Sequence, residues 1–169
     1  MENNINALAI GMETKDTSLI TLSLLSNGFL YLSVKKFTEA LKNQQAALRI
    51  FIATHDSVGI ATVYNDMGVD NMMEGNVDEA LRNHSIALMI RKQINDYIGV
   101  GNSCSYISEI LQQQRKYQQA LANSIEALKY AKLSGNAGYA LDSYNDAGSI
   151  YLEMHDDENA LKTMIQYCR

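Results

Sequence analysis

The sequence predicts an all-α fold, a right-handed α-solenoid superhelix of antiparallel helix pairs with about nine helices. Three observations predict it. The 169 residues include no proline, although the tight turns of β proteins commonly use it. Apolar residues recur at steps of three and four, the period of one helix face. An Ala-Leu pair returns every 40 residues without insertion, at Ala40-Leu41, Ala80-Leu81, Ala120-Leu121 and Ala160-Leu161.

A column of small residues repeats with the same period, at Gly28, Gly68, Ser108 and Gly148. A small residue lets two helix backbones approach closely, and the alanine of the Ala-Leu pair does the same from the partner helix. One helix pair cannot bury its apolar face alone, so we expect neighbouring pairs to stack.

The helices are predicted, in chain order, at 2–14, 17–34, 37–54, 57–73, 77–94, 97–114, 117–134, 137–154 and 157–169. The first helix of a repeat is apolar around much of its circumference, whereas the second carries a single apolar stripe. Side chains that suit an N-cap precede the first helices, at Asp16, Asp56, Asp96 and Asn136. Asn76 with Glu79 has the spacing of a capping box.

We expect one repeat domain over residues 1–169. The phase of the repeat places a half repeat at 1–14 and repeats at about 17–54, 57–94, 97–134 and 137–169, the last one truncated. Met1 falls in the column of Leu41, and Arg169 falls within a second helix. This suggests a piece of a longer array, or an array whose missing halves are supplied by something else.

Composition limits the possible partners. With 47% apolar and 20% charged residues, the sequence predicts a soluble chain with a core, and a net charge of −5 disfavours nucleic acid and anionic membranes as partners. No apolar run approaches the ~20 residues of a membrane helix, and the first ten residues do not resemble a signal peptide. The cytoplasm is the default location, with a periplasmic or extracellular sensor segment left open.

Two blocks of residues carry a resemblance to a known family. They are Tyr64, Met67, Gly68 and Asn71, and then Tyr144, Ala147, Gly148 and Tyr151. They resemble the W-x2-L-G-x2-Y element of tetratricopeptide repeats (TPR). Of the A-x3-F element, only the alanine is present, and the proline that ends the family pattern is absent. The period is 40 residues rather than 34. The chain therefore resembles the long-helix, 40-residue class found in scaffold and signalling proteins.

Stacked pairs of this kind leave a concave groove, lined by the first helix of each repeat, that binds extended or helical peptides. From the helix phase we expect the groove to include Phe29, Asn65, Val69, Met72, Asn102, Ser105, Glu109, Asp142 and Asn145. The resemblance implies that Asn65 and Asn145 hold a peptide backbone, since an amide both donates and accepts. Alternatively, the asparagines bond neighbouring helices, and the methionines are core residues.

The charges on this expected face indicate the class of ligand. Its residues include Glu109 and Asp142 but no lysine or arginine, unlike the repeats that clamp a carboxylate. A ligand of basic or neutral polar character is therefore favoured, with its apolar part near Phe29 and Met72.

Residues for catalysis or for binding a cofactor or metal are not brought together by the pattern. His55, His84 and His155 fall in different repeats, and Cys104 and Cys168 have neither metal-ligand nor disulfide-framework spacing. A nucleophile and base formed by Cys104 and His84 is conceivable, but a packed structural imidazole is favoured. We therefore expect no enzyme activity and no cofactor.

The predicted function is a protein- or peptide-binding scaffold module within a larger protein. The alternative is a ligand-sensing regulatory segment of a bacterial signalling protein, attached to a kinase, cyclase or transcription regulator. A homodimer through exposed terminal helices is a further possibility, because terminal repeats leave packing faces uncovered.

Overall fold

A computed structural model describes residues 2–167, and within them the chain forms nine α-helices. They are α1 (Glu2–Thr14), α2 (Thr17–Ser33), α3 (Phe37–Ala53), α4 (Ser57–Glu74), α5 (Val77–Gln93), α6 (Tyr97–Gln113), α7 (Tyr117–Leu133), α8 (Ala137–Glu153) and α9 (Asp157–Tyr167). The predicted boundaries agree to within a residue wherever the chain is described. The predictions for Met1, Cys168 and Arg169 lie outside the described residues.

Local capping chemistry sets where the even-numbered helices begin. The carboxylate of Asp16 accepts a hydrogen bond from the backbone N–H of Leu19 at 3.0 Å. Asp56, Asp96 and Asn136 accept in the same way from the residue three positions on. All four predicted N-caps are therefore confirmed, each satisfying a donor that the first helical turn leaves unpaired.

The side chains of the predicted capping box before α5 make contacts with other side chains. The side-chain amide of Asn76 donates to Glu74 at 2.9 Å, and Glu79 lies 3.6 Å from the guanidinium of Arg82. Glu74 ends α4, and Arg82 lies one turn after Glu79 on α5. The capping box itself stays a prediction.

Every connection between described helices turns through one residue with a left-handed backbone. These residues stand 20 apart, at Lys15, Lys35, His55, Gly75, Asn95, Arg115, Gly135 and His155. At Lys35, for example, its N–H bonds Leu32 O and the N–H of Lys36 bonds Tyr31 O, both at 2.8 Å, which is a Schellman motif. The connections therefore repeat at half the period of the sequence.

The described residues belong to two compact units, Met1–Asn83 and His84–Arg169. In the first unit the core is built around Leu24, Ala47 and Val63. In the second unit it is built around Val100, Cys104 and Ala127. Each core forms where successive helices pack, because one helix buries its apolar face only against its neighbours. A single repeat domain over 1–169 stays a prediction.

The small-residue column lies where two helices of a pair meet. A Cβ atom added at Gly28 would lie 3.6 Å from the carbonyl oxygen of Ala40. In the third copy the hydroxyl of Ser108 donates to the carbonyl of Ala120 at 2.8 Å. Both alanines are fully buried. At these two crossings the small residue therefore lies in direct contact with the partner helix, as expected, and a Cβ at Gly28 would make an ordinary contact there.

Candidate functional site

A cleft of about 370 Å³ opens in the second unit between α6 and α8, with Ala131 of α7 also lining it. We call it the α6–α8 cleft. Its polar lining includes Asn102, Ser105, Asp142 and Asp146, and its aromatic lining consists of Tyr97, Tyr106 and Tyr139. It therefore combines hydrogen-bonding groups, carboxylates and aromatic rings on one surface.

Helical spacing brings these side chains to the same side of their helices. On α8, Tyr139, Asp142 and Asp146 follow one another at steps of three and four residues. Residues at such steps share a helix face. On α6, Asn102 and Ser105 lie one turn apart and face the same opening. Because α6 and α8 pack against each other, these two faces form the walls of one cleft.

The cleft is acidic. The pKa of Asp146 is raised above its ordinary value, first because the carboxyl group is partly buried and then because Asp142 and Glu109 are negatively charged neighbours. Glu109 lines an adjoining cleft of about 190 Å³, which shares Ser105, Tyr106 and Asp146 with the first. Carboxylates held together in this way favour a positively charged ligand, which would offset their mutual repulsion.

Four of the five residues predicted in the second unit line these two clefts. Asn102, Ser105 and Asp142 line the α6–α8 cleft, and Glu109 lines the adjoining one. Asn145, the fifth, is exposed on α8 beside the cleft. The structure also adds Asp146 and three tyrosines that the sequence reasoning missed. Of these, Asp146 could have been found, because it stands one helical turn after Asp142.

The residues of the first unit that were predicted to line the groove differ in solvent exposure. Phe29 is 70% exposed on α2, whereas Val69 and Met72 of α4 are partly buried. Asn65 is also partly buried, and its side-chain oxygen is sealed from solvent with no hydrogen-bond partner among the described residues. Asn65 and Asn145 occupy one column of the repeat, but they thus differ in exposure, since Asn145 is open to solvent and the side-chain oxygen of Asn65 is not.

His84 and Cys104 are core groups. The His84 ring is fully buried and stacks on Tyr106, with the ring centroids 4.6 Å apart and the planes at 10°. Burial, followed by the charge of Arg91, lowers the pKa of His84 to about 4. Burial also raises the pKa of Cys104 to about 12. A neutral imidazole and a neutral thiol, each enclosed, are poorly suited to act as base and nucleophile.

Among residues 2–167, no three or more histidine, cysteine, aspartate or glutamate side chains come together in a way that could hold a metal ion. None of the described helices is both long enough and apolar enough to cross a membrane.

No family model matches the sequence, and no curated protein matches it. Solved structures do match. RapI in its apo form has a TM-score of 0.86 at 16% identity, over 97% of this chain and 46% of RapI. A signal-transduction ATPase of the STAND class from Pyrococcus horikoshii, with a tetratricopeptide repeat sensor, has a TM-score of 0.80 at 16% identity, over 98% of this chain and 26% of that protein.

A Podosopora anserina protein of the kinesin light chain type, with nearly identical TPR-like repeats, has a TM-score of 0.75 at 14% identity, over 98% of this chain and 82% of that one. The chain thus spans less than two thirds of the length of RapI and of the STAND protein. These likenesses show an all-α helical repeat of the solenoid type with a TPR-like fold.

Proposed function

We propose that this chain is a protein- or peptide-binding scaffold module and that it holds an extended peptide segment against the first helices of its repeats. The α6–α8 cleft is the observation that carries the proposal. It lies between the first helices of two successive repeats, where a TPR-like fold would place its ligand surface. Asn102 and Ser105 offer it hydrogen-bonding groups that suit a peptide backbone.

The ligand that fits is basic or neutral and polar. Asp142 and Asp146 line the cleft, and neither lysine nor arginine does so among the described residues. An acidic peptide would place like charges close together, which is unfavourable in a partly buried site. The same charges, with a net charge of −5 for the chain, make nucleic acid an unsuitable partner. The module needs no catalytic group for this function.

A peptide array tests the proposal. The unaltered chain and the variants Asn102→Ala, Asn145→Ala and Asn65→Ala are applied to the same array of random peptides, and bound fluorescence is measured. We expect the first two variants to lose at least about three quarters of the bound signal, since an Asn-to-backbone pair contributes roughly 1 kcal/mol. Asn65→Ala should reduce the bound signal less, because the side-chain oxygen of Asn65 is buried.

Asn123→Ala is the matched control for this array. Asn123 lies on α7, and its amide donates to Gln119 O within its own helix. Equal loss of signal for Asn123→Ala and Asn102→Ala, or no peptide bound by the unaltered chain, would contradict the proposal.

The second candidate is a ligand-sensing segment of a signalling protein, attached to a kinase, cyclase or transcription regulator. The match of 98% of this chain to a signal-transduction ATPase that carries a tetratricopeptide repeat sensor favours it. Reading the complete gene tests this candidate, because a nucleotide-binding, kinase, cyclase or DNA-binding domain in the same product would support it. A product with repeats alone would count against it.

Self-association through terminal helices is a further part of the proposal. In α9, Leu161, Met164 and Ile165 are 60%, 47% and 47% exposed, and in α1, Met12 is 61% exposed. On α9, Leu161 stands three and four positions before Met164 and Ile165, so these side chains share one helix face, and an exposed apolar face favours association. Light scattering over a dilution series would show a mass that rises with concentration. A constant monomer mass would remove this part of the proposal.

A further inference from the structure

Among the described residues, the lining of the α6–α8 cleft includes carboxylates but no lysine or arginine. Asp142 and Asp146 stand one turn apart on α8 and both line it. The nearby lysines are engaged elsewhere, since Lys92 pairs with Glu126 at 2.7 Å and Lys132 lies over the ring of Tyr144 at 5.0 Å. A positive group on a ligand would therefore find two carboxylates available to it in this cleft.

The aromatic lining indicates which positive group fits. Tyr97, Tyr106 and Tyr139 line the same cleft as the two carboxylates. A guanidinium group is flat, stacks on aromatic faces and pairs with a carboxylate through two parallel hydrogen bonds. A lysine ammonium is more strongly hydrated and cannot stack in this way. Rings beside carboxylates therefore favour arginine over lysine.

Two of these rings are held in position by their neighbours. Tyr106 stacks on the buried His84, and the ring of Tyr97 contacts the ring of Tyr130, with the centroids 5.9 Å apart. A ring that is already fixed loses little conformational entropy when a ligand stacks on it. A ligand that stacks on Tyr97 or Tyr106 would thus contact a ring that already has a packing partner.

We propose that the α6–α8 cleft binds the side chain of an arginine in the partner's peptide, with the guanidinium stacked on a tyrosine ring and paired with Asp142 and Asp146. This rests on the proposed function as a peptide-binding module, and it names the side chain that the module recognises. The raised pKa of Asp146, caused first by burial and then by Asp142 and Glu109, agrees with a site where a cation is favoured.

Three labelled peptides test the proposal by fluorescence anisotropy with the full chain. Their sequences are three repeats of Gly-Ser-Arg, of Gly-Ser-Lys and of Gly-Ser-citrulline, the last having the shape of arginine without its charge. We expect the arginine peptide to bind at least about tenfold more tightly than the citrulline peptide, and several-fold more tightly than the lysine peptide. Equal affinity for the arginine and lysine peptides, or for the arginine and citrulline peptides, would overturn it.

Variants locate the binding site. Asp142→Asn with Asp146→Asn should weaken binding of the arginine peptide at least about tenfold and leave the citrulline peptide unchanged. Asp78→Asn with Glu79→Gln removes two charges from the first turn of α5, neither of which lines the cleft, and is the matched control for this double variant. Helical circular dichroism verifies that each variant is folded. Loss of binding by Asp78→Asn with Glu79→Gln to the same degree would overturn the assignment to this cleft.

The peptide array separates the two proposals. If it yields peptides whose binding depends on Asn102 or Asn145 but not on arginine, the arginine site fails and the scaffold function stands. If no peptide binds at all, both fail.

Discussion

The side-chain hydroxyl of Ser108 donates to the backbone carbonyl of Ala120 at 2.8 Å, in a buried crossing of α6 and α7. The other copies of the repeat have glycine in this column, at Gly28, Gly68 and Gly148. A serine here adds one interhelical hydrogen bond, and its small side chain still lets the helices approach. This copy therefore has a side-chain hydrogen bond at a position where glycine, in the other copies, has no side chain to make one.

Replacing Ser108 by alanine should remove this link. A buried hydrogen bond contributes about 1 kcal/mol to stability, partly offset by the better helix propensity of alanine. Ser149→Ala is the matched control, because the Ser149 hydroxyl is exposed and bonds only Asp146 O in its own helix. In urea denaturation, Ser108→Ala should be less stable than Ser149→Ala by about 1 kcal/mol. Equal midpoints would contradict this.

Gly75→Ala should destabilise the chain through its backbone alone. Gly75 has φ of +88°, and a Cβ atom there would meet nothing within 4 Å. An L-residue in this conformation costs roughly 1–2 kcal/mol, and the lower entropy of unfolded alanine returns part of that. Thermal denaturation should show a lower midpoint.

Gly101→Ala is the opposite case and serves as the control for Gly75→Ala. Gly101 lies within α6, and an added Cβ would stand 3.8 Å from Ala127 O, an ordinary contact. We expect a gain of up to about 1 kcal/mol, because alanine favours a helix interior over glycine. Shifts of the same sign for the two variants would show that the backbone conformation is not the cause.

His84 should make stability fall in mild acid. Its pKa is lowered from 6.5 to about 4, by burial first and then by Arg91. Above pH 6.5 the His84 ring is neutral in both the folded and the unfolded chain, so its contribution to the free energy of unfolding is fully present. Between 6.5 and about 4 the unfolded chain binds the proton more readily, so the free energy of unfolding falls with falling pH, by up to about 3 kcal/mol in total.

Urea denaturation between pH 7 and pH 4 measures this effect, with His84→Gln as the comparison. Burial raises the pKa of Asp70 and Asp146, so these two carboxyl groups increase the free energy of unfolding as the pH falls. They do so equally in the unaltered chain and in His84→Gln. The difference between them should therefore isolate His84. Parallel curves for the two proteins would mean that the buried ring does not resist protonation.

Cys104 should be unreactive toward thiol reagents while the chain is folded. Burial, then Glu126, raises its pKa to about 12, and reaction requires both thiolate and access. In a Cys168→Ser background, iodoacetamide at pH 8 should modify Cys104 at least about 100-fold more slowly than free cysteine. Unfolding in urea should restore the ordinary rate. Rapid modification of the folded chain would show that this core opens readily.

The helices and their starts could be predicted from sequence because they depend on nearby residues. An N-cap such as Asp56 acts on a residue only three positions away, and the apolar period is visible along the chain. The residues with a left-handed backbone between the helices are harder to predict from sequence. Only two of the eight, Gly75 and Gly135, are glycine, the residue type that usually marks this conformation. Local hydrogen bonds that end the preceding helix accompany these turns, and asparagine and histidine adopt this conformation more readily than most residues.

The sequence by itself determined the repeat, the helices that it contains and the acidic character of the candidate face. Only the tertiary structure decided that Tyr97 and Asp142, 45 positions apart, line one cleft. It also decided that Asn65 is partly buried whereas Asn145 is exposed, although both occupy one column of the repeat. The reason is physical: burial and cleft shape depend on the side chains of neighbouring helices, which a column of like residues does not record.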